Sequence, residues 1–246
     1  MIRVAAVGDV HLGRDSAGSL APRLAGLAER ADVLLIAGDL TNCGHPDEGR
    51  VLVRELAEVD VPVVAVLGNH DHHADRPAEL RAVLEDAGVT VLEGESTTLR
   101  VNGLRLGVAG AKGFGGGFPG RCAADFGERE MKDFVRHTKE VAHALQGALE
   151  GVEGDVRVAL LHYAPVEATL QGEPREIYAF LGSYLLAEAI DRAGADLVLH
   201  GHAHHGAAQG ETPGGVPVRN VSQFVLGAPY AVFSLHPSGV GAGRGE

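Results

Sequence analysis

The stretch Asp32-Val33-Leu34-Leu35-Ile36-Ala37-Gly38-Asp39 (residues 32–39) decides how this chain is read. Five consecutive apolar residues are too few for a helix. With no polar residue among them, they suit a strand covered on both faces. Two further runs share this character and, like it, end on glycine followed by a polar residue. Residues 3–7 lead into Gly8-Asp9-Val10-His11, and residues 61–67 lead into Gly68-Asn69-His70-Asp71. Amphipathic stretches at 19–30, 46–59 and 77–87 read as helices. Strands separated by helices of about a dozen residues predict βαβ units with right-handed crossovers and a largely parallel sheet.

Beyond Gly88 the rhythm shortens. Residues 89–92, 97–101 and 104–109 read as strands, and Asn102-Gly103 between the last two is a strong hairpin signal. Residues 110–127, rich in glycine and carrying Phe114, Phe118 and Pro119, read as a long surface loop. A helix is expected at 128–149, a strand at 156–161, a second long loop at 164–181 and a helix at 183–193. Strands at 197–200, 216–221 and 231–235 follow. The fold class is therefore α/β, with two sheets or one large mixed sheet and helices outside. Residues 1–236 read as one domain, and the Gly-rich tail 237–246 is expected to be disordered.

Composition narrows the function. The 246 residues carry a net charge of −12, which argues against a broad electrostatic grip on nucleic acid or an anionic membrane. Two cysteines are too few for a disulfide-stapled secreted scaffold. The apolar runs are strand-length and the start of the chain resembles no cleaved signal, so a cytoplasmic location is expected. The 13 histidines stand out.

Their placement carries chemistry. In open α/β sheets, sites lie beyond the carboxyl ends of the strands. Besides Asp9, His11, Asp39, Asn69 and His70, the strand at 156–161 ends in His162 and that at 197–200 in His200-Gly201-His202-Ala203-His204. Five strands thus deliver Asp, His or Asn at one end. A mixed carboxylate, imidazole and amide set suits Mn, Fe, Zn or Co, and does not suit a soft copper or an all-oxygen calcium site. Asp9, Asp39, Asn69 and four histidines are too many for one metal with an open position. They suit two divalent metal ions sharing a carboxylate, a usual device for phosphoryl displacement.

The ordered pattern Asp-x-His, Gly-Asp, Gly-Asn-His-Asp, His, Gly-His-x-His, from Asp9 to His204, resembles the calcineurin-like metallophosphoesterases. The resemblance implies a β-sandwich of two mixed sheets flanked by helices. It implies a first metal on Asp9, His11 and His204, a second on Asn69, His162 and His202, and Asp39 as the bridge. His70 would be the catalytic histidine that binds no metal. Gly38-Asp39-Leu40-Thr41-Asn42 and His162-Tyr163-Ala164-Pro165 look more like the bacterial phosphodiesterase branch. Protein phosphatases of the family carry Asp where this chain has Asn42, and Glu where it has Asp71. These departures speak against a protein-phosphatase role and leave open which group orients His70.

The expected activity is hydrolysis of a phosphomonoester or phosphodiester, with a small nucleotide-type molecule as substrate. Two aspartates and a metal-bridging hydroxide against two divalent cations leave about one net positive charge for the phosphate ester. His70 would assist the leaving oxygen, and Asp39 shares the catalytic role as the bridge. Candidate substrate contacts are His72, His73, Lys112, Phe114, Tyr163 and His200, since loops beside a fixed metal platform carry specificity. The alternatives are a nuclease of the same family, against which the negative charge argues, and a metal-binding interaction scaffold without activity.

Overall fold

The computed structural model describes residues 1–237, 239 and 240. Two six-stranded sheets pack face to face. The first has the order β14-β13-β1-β2-β3-β4. It comprises β1 (Ile2–Val7), β2 (Val33–Ala37), β3 (Val63–Val66), β4 (Thr90–Val91), β13 (Ala231–His236) and β14 (Gly239–Val240). The second has the order β11-β12-β10-β9-β6-β5. Its strands are β5 (Glu95–Val101), β6 (Leu104–Ala111), β9 (Val156–Leu161), β10 (Leu197–His200), β11 (Gln209–Glu211) and β12 (Pro217–Asn220). Each sheet is mixed. β1 to β4 run parallel with β13 antiparallel to β1, and β6, β9, β10 and β12 run parallel with β5 and β11 antiparallel at the edges. The two-sheet form of the α/β expectation is the one found.

Side-chain alternation explains the layers. Val4, Ala6, Val33, Leu35, Val64 and Val66 point from the first sheet toward Leu106, Val108, Val158, Leu160, Leu197 and Leu199 of the second. The intervening residues, such as Ala5, Leu34 and Ile36, face outward onto Leu52, Leu80 and Leu84 of helices Pro46–Glu55 and Pro77–Glu85. Helices Arg129–Gly151 and Tyr184–Ala193 cover the second sheet through Leu145, Leu149, Leu186 and Ile190. Strands buried on both faces have no polar side to show, hence the unbroken apolar run at 33–37.

Several local expectations differ from the structure. The stretch 19–30 is two short helices, Ala21–Leu24 and Leu27–Arg30, because Ala25 is extended and Gly26 is left-handed (φ 72°). The loop 110–127 contains a small hairpin of β7 (Gly117–Phe118) and β8 (Arg121–Cys122). The loop 164–181 carries helical turns at Glu167–Leu170, Arg175–Ile177 and Tyr178–Leu181. Gly239–Val240 pairs with β13, so the sheet continues past the expected end of the domain. Residues 238 and 241–246 of the expected tail lie outside the described residues. Asn102 (φ 50°) and Gly103 (φ 79°) form the turn between β5 and β6 as expected. No helix among the described residues is long and apolar enough to cross a membrane.

Candidate metal centre

The carboxyl ends of β1, β2, β3, β9 and β10 meet at one edge of the sandwich, and the polar residues that follow them converge there. Four of those residues adopt left-handed backbone: Asp9 (φ 59°), His11 (φ 45°), Asp39 (φ 49°) and His202 (φ 68°). Only two other non-glycine residues among those described do so, Asp75 and Asn102. Such conformations cost about 1–3 kcal/mol each and gather where a site requires them.

Two groups of side chains form, and they share Asp39. Asp9, His11, Asp39 and His204 bring ligand atoms within 4.8 Å of one another, as do Asp39, His162 and His202. The two oxygens of Asp39 divide between them. Oδ2 lies 3.7 Å from His11 Nε2, and Oδ1 lies 3.3 Å from His162 Nε2. Asn69 joins the second group, its Oδ1 2.9 Å from His162 Nε2. Asp9 and Asp39 are essentially buried, as is His162, whereas His11, Asn69, His202 and His204 are half-buried.

The hydrogen bonds behind these groups set their chemistry. His162 Nδ1 donates to the Ala37 carbonyl at 2.9 Å, so the neutral ring has its lone pair on Nε2. That lone pair faces two acceptors, Asn69 Oδ1 and Asp39 Oδ1. His202 Nε2 donates to the Phe180 carbonyl at 3.3 Å, which leaves Nδ1 free of its proton. His11 Nε2 is buried with no hydrogen-bond partner. Acceptors turned toward one another in a buried space, with an orphaned imidazole nitrogen among them, fit cations and fit little else. Burial lowers the pKa of His11, and lowers that of His202 well below the usual value, so both rings stay neutral as ligation requires. Burial works against the charge of Asp9, but the His204 hydrogen bond at 3.1 Å leads the contacts that outweigh it and hold Asp9 at about 2.

His70 stands beside these groups, its ring 4.5 Å from that of His11. Its backbone N–H donates to Asp39 Oδ1 at 2.8 Å, and its Nδ1 lies 2.8 Å from the Asn42 carbonyl oxygen. The group that orients His70 is thus the backbone of Asn42, where the sequence comparison with protein phosphatases looked for a side chain. Asp71, fully buried, accepts from the Leu40, Thr41 and Gly68 amides and from Thr41 Oγ1, tying the loops after β2 and β3 together.

Two glycines are set by close approach. A methyl group on Gly68 would overlap the Asp39 carboxylate, and one on Gly201 would stand 2.6 Å from Asp9 Oδ2.

The expected substrate contacts separate. Tyr163 packs on His202, with centroids 4.3 Å apart, and Phe114 lies 6.0 Å from Tyr163. Lys112 is buried beside both rings. His72 is half-buried and His73 exposed in the loop after β3. His200 is corrected: it is fully buried, with Nδ1 on the Gly201 carbonyl and Nε2 on Thr169 Oγ1, so no ring nitrogen is left for a substrate. Burial drives its pKa down to about 4. Two aromatic residues at the site were not foreseen. Phe224 stacks on His204 at 4.3 Å and is 55% exposed, and Phe180, whose carbonyl holds His202, is 62% exposed. Phe224 follows β12, another parallel strand ending at this edge, and that position was the available signal.

Comparison with known proteins agrees with this geometry. Residues 2–206 match the model of the calcineurin-like phosphoesterases. Sixty-six residues, 27% of the chain, are 36% identical to the glycerophosphodiester phosphodiesterase GpdQ of Enterobacter lignolyticus, a match that spans 23% of that protein's length. The fold is similar to that of the phosphopantetheinyl hydrolase PptH from Mycobacterium tuberculosis, with a TM-score of 0.65 at 16% identity over 89% of this chain and 88% of that one. It is also similar to that of TT1561 from Thermus thermophilus, with a TM-score of 0.53 at 20% identity over 91% and 90% of the two chains. With the family model covering most of its length and the motif residues gathered at one edge, the chain belongs to the calcineurin-like phosphoesterase family, whose members are metal-dependent phosphoric ester hydrolases.

Proposed function

We propose that this protein hydrolyses small phosphate esters, phosphodiesters of nucleotide type foremost, at a centre of two divalent cations. Asp9, His11 and His204 would hold one cation and Asn69, His162 and His202 the other, with Asp39 between them. The observation that carries this reading is the division of the Asp39 carboxylate, one oxygen toward each group of histidines. When bound, such a pair supplies Lewis acidity to the phosphoryl oxygens and lowers the pKa of water toward about 7.

The chain's own residues do the rest. Asp39, clamped by the His70 amide, fixes the separation of the two ligand groups. The carbonyls of Ala37 and Phe180 orient His162 and His202. In its imidazolium form His70 keeps Nδ1–H on the Asn42 carbonyl and presents Nε2–H to the leaving oxygen. Phe224 offers an exposed ring stacked on His204, which suits a base or other flat apolar group. The negative charge of the chain favours a small substrate over a polynucleotide.

The test combines metal analysis with a substrate pair. Protein loaded with Mn, Fe, Zn or Co is expected to bind two ions per chain and to cleave bis(p-nitrophenyl) phosphate faster than p-nitrophenyl phosphate. Asp39→Ala is expected to lose both ions. Wild-type metal content in that variant would remove the bridging role. Faster cleavage of single-stranded DNA than of small diesters would make the protein a nuclease.

A further inference from the structure

Among the described residues Lys112 is the one lysine or arginine that is buried, and nothing in the proposed hydrolysis uses it. It follows directly on β6, and its carbonyl accepts from the amides of His162 and Tyr163, both at 3.0 Å, so its backbone is fastened to the segment carrying a proposed ligand. The side chain is 9% exposed. Of the three protons on Nζ, one is spent on the Gly113 carbonyl at 3.2 Å. The ammonium lies 5.1 Å from the centroid of Phe114 and 5.2 Å from that of Tyr163. Glu93 and Asp39 are near enough to act on its charge, but among the described residues neither forms an ion pair with it. Glu93 instead accepts from the Lys112 amide.

His137 stands edge-on to Phe114, the ring that Lys112 overlies, with centroids 4.6 Å apart. Burial without an ion-pair partner works against the Lys112 charge and lowers its pKa, and an anion beside Nζ offsets that cost. The Tyr163 ring touches His202 on one hand and Lys112 on the other, which sets the ammonium one ring away from the metal ligands.

We propose that Lys112 Nζ forms an oxyanion subsite beside the candidate metal centre, which takes a terminal phosphate or carboxylate on the arm of the ester that does not leave. The proposal rests on the phosphoesterase reading and narrows its substrate class to esters bearing a second negative group.

Three p-nitrophenyl phosphodiesters test it, their other arm being ethyl, 2-carboxyethyl or 2-phosphoethyl. The wild type is expected to favour at least one charged arm over ethyl by about tenfold or more in kcat/KM, the worth of one charge-assisted hydrogen bond. Which arm wins tells carboxylate from phosphate. Lys112→Met is expected to erase that preference through KM, and Lys112→Arg to keep part of it. A preference unchanged in Lys112→Met overturns the subsite, as does an equal fall of kcat on all three esters. Binding without turnover gives an independent reading. Inorganic phosphate is expected to raise the Tm of metal-free wild-type protein, and to do so less in Lys112→Met. Equal shifts in wild type and variant overturn the proposal. A wild type that binds phosphate through Lys112 yet cleaves none of the esters with Mn leaves the subsite standing and removes the hydrolase reading.

Discussion

His70 Nδ1 lies 2.8 Å from the carbonyl oxygen of Asn42, four residues before the helix Pro46–Glu55 and on a different loop from His70 itself. This bond fixes the ring with Nε2 turned away from the backbone. Because the acceptor is a main-chain atom, removing the Asn42 side chain leaves it in place. Asn42→Ala is therefore expected to keep kcat within about threefold, whereas His70→Ala is expected to lower kcat by about 100- to 10,000-fold, the usual worth of a positioned acid. Metal content measured in parallel should stay at the wild-type level in both. Equal losses of kcat in the two variants would show that the Asn42 side chain orients the ring.

Gly68 ends the segment after β3 where its backbone passes against Asp39. A methyl group there would meet the Asp39 carboxylate and its backbone nitrogen together, and the backbone atom cannot swing aside. Gly68→Ala is expected to displace Asp39 and so to weaken both proposed metal positions at once, with activity falling by about 100-fold or more, as small misplacements of reacting groups do. Metal titration distinguishes this from simple unfolding: the variant should keep its circular dichroism and lose metal affinity.

The strands were legible because burial on both faces leaves an unbroken apolar run, and those at Val156–Leu161 and Leu197–His200 have the expected limits. The acidic and imidazole ligand candidates were legible because glycine and a polar residue repeat at each strand end. The carbonyls of Ala37, Asn42 and Phe180 were not, since every residue carries one and only the folded path decides which meets a histidine. His200 misled because it adjoins the Gly-His-x-His motif while its strand position points it into the protein, onto Thr169. Gln223–Leu226, which carries Phe224, is a single turn of helix and too short to show a period. The break at Gly26 escaped notice because the apolar spacing on either side suits one helix.

Asp71 is the joint between the loop that carries Asp39 and the one that carries Asn69 and His70. Its Oδ1 accepts from the Thr41 amide at 2.8 Å and from Thr41 Oγ1 at 2.6 Å, and its Oδ2 from Leu40 at 3.0 Å and Gly68 at 2.8 Å. Burial pushes this carboxyl up to about 6 even though those donors favour its charged form. An amide of the same shape turns one oxygen into a donor, so Asp71→Asn leaves buried N–H groups facing N–H groups. The expected cost is about 2–4 kcal/mol of stability, from one or two unsatisfied buried donors. Denaturant unfolding of metal-free protein reads it. A loss under about 0.5 kcal/mol, within the range of ordinary surface changes, would mean that the loops are held by other contacts.

Glu55 closes the helix Pro46–Glu55 and reaches the segment that leads into the short helix Ala21–Leu24. Its carboxylate accepts from the amides of Gly18, Leu20 and Ala21 at 2.5, 2.8 and 2.8 Å, where the short helix Ala21–Leu24 begins. Burial works to raise its pKa, and the three backbone donors outweigh that and lower it from 4.5. A carboxyl whose folded pKa lies below its unfolded one binds fewer protons when folded. Its contribution is therefore complete above the unfolded value and is lost as pH falls through the folded one. Glu55→Gln, which cannot ionise, is expected to be less stable than wild type at pH 7 and to close that gap as pH is lowered below about 4.5. Melting curves of the two metal-free proteins across this range measure the difference directly. A gap that stays constant with pH would mean that Glu55 acts through its shape and not through its charge.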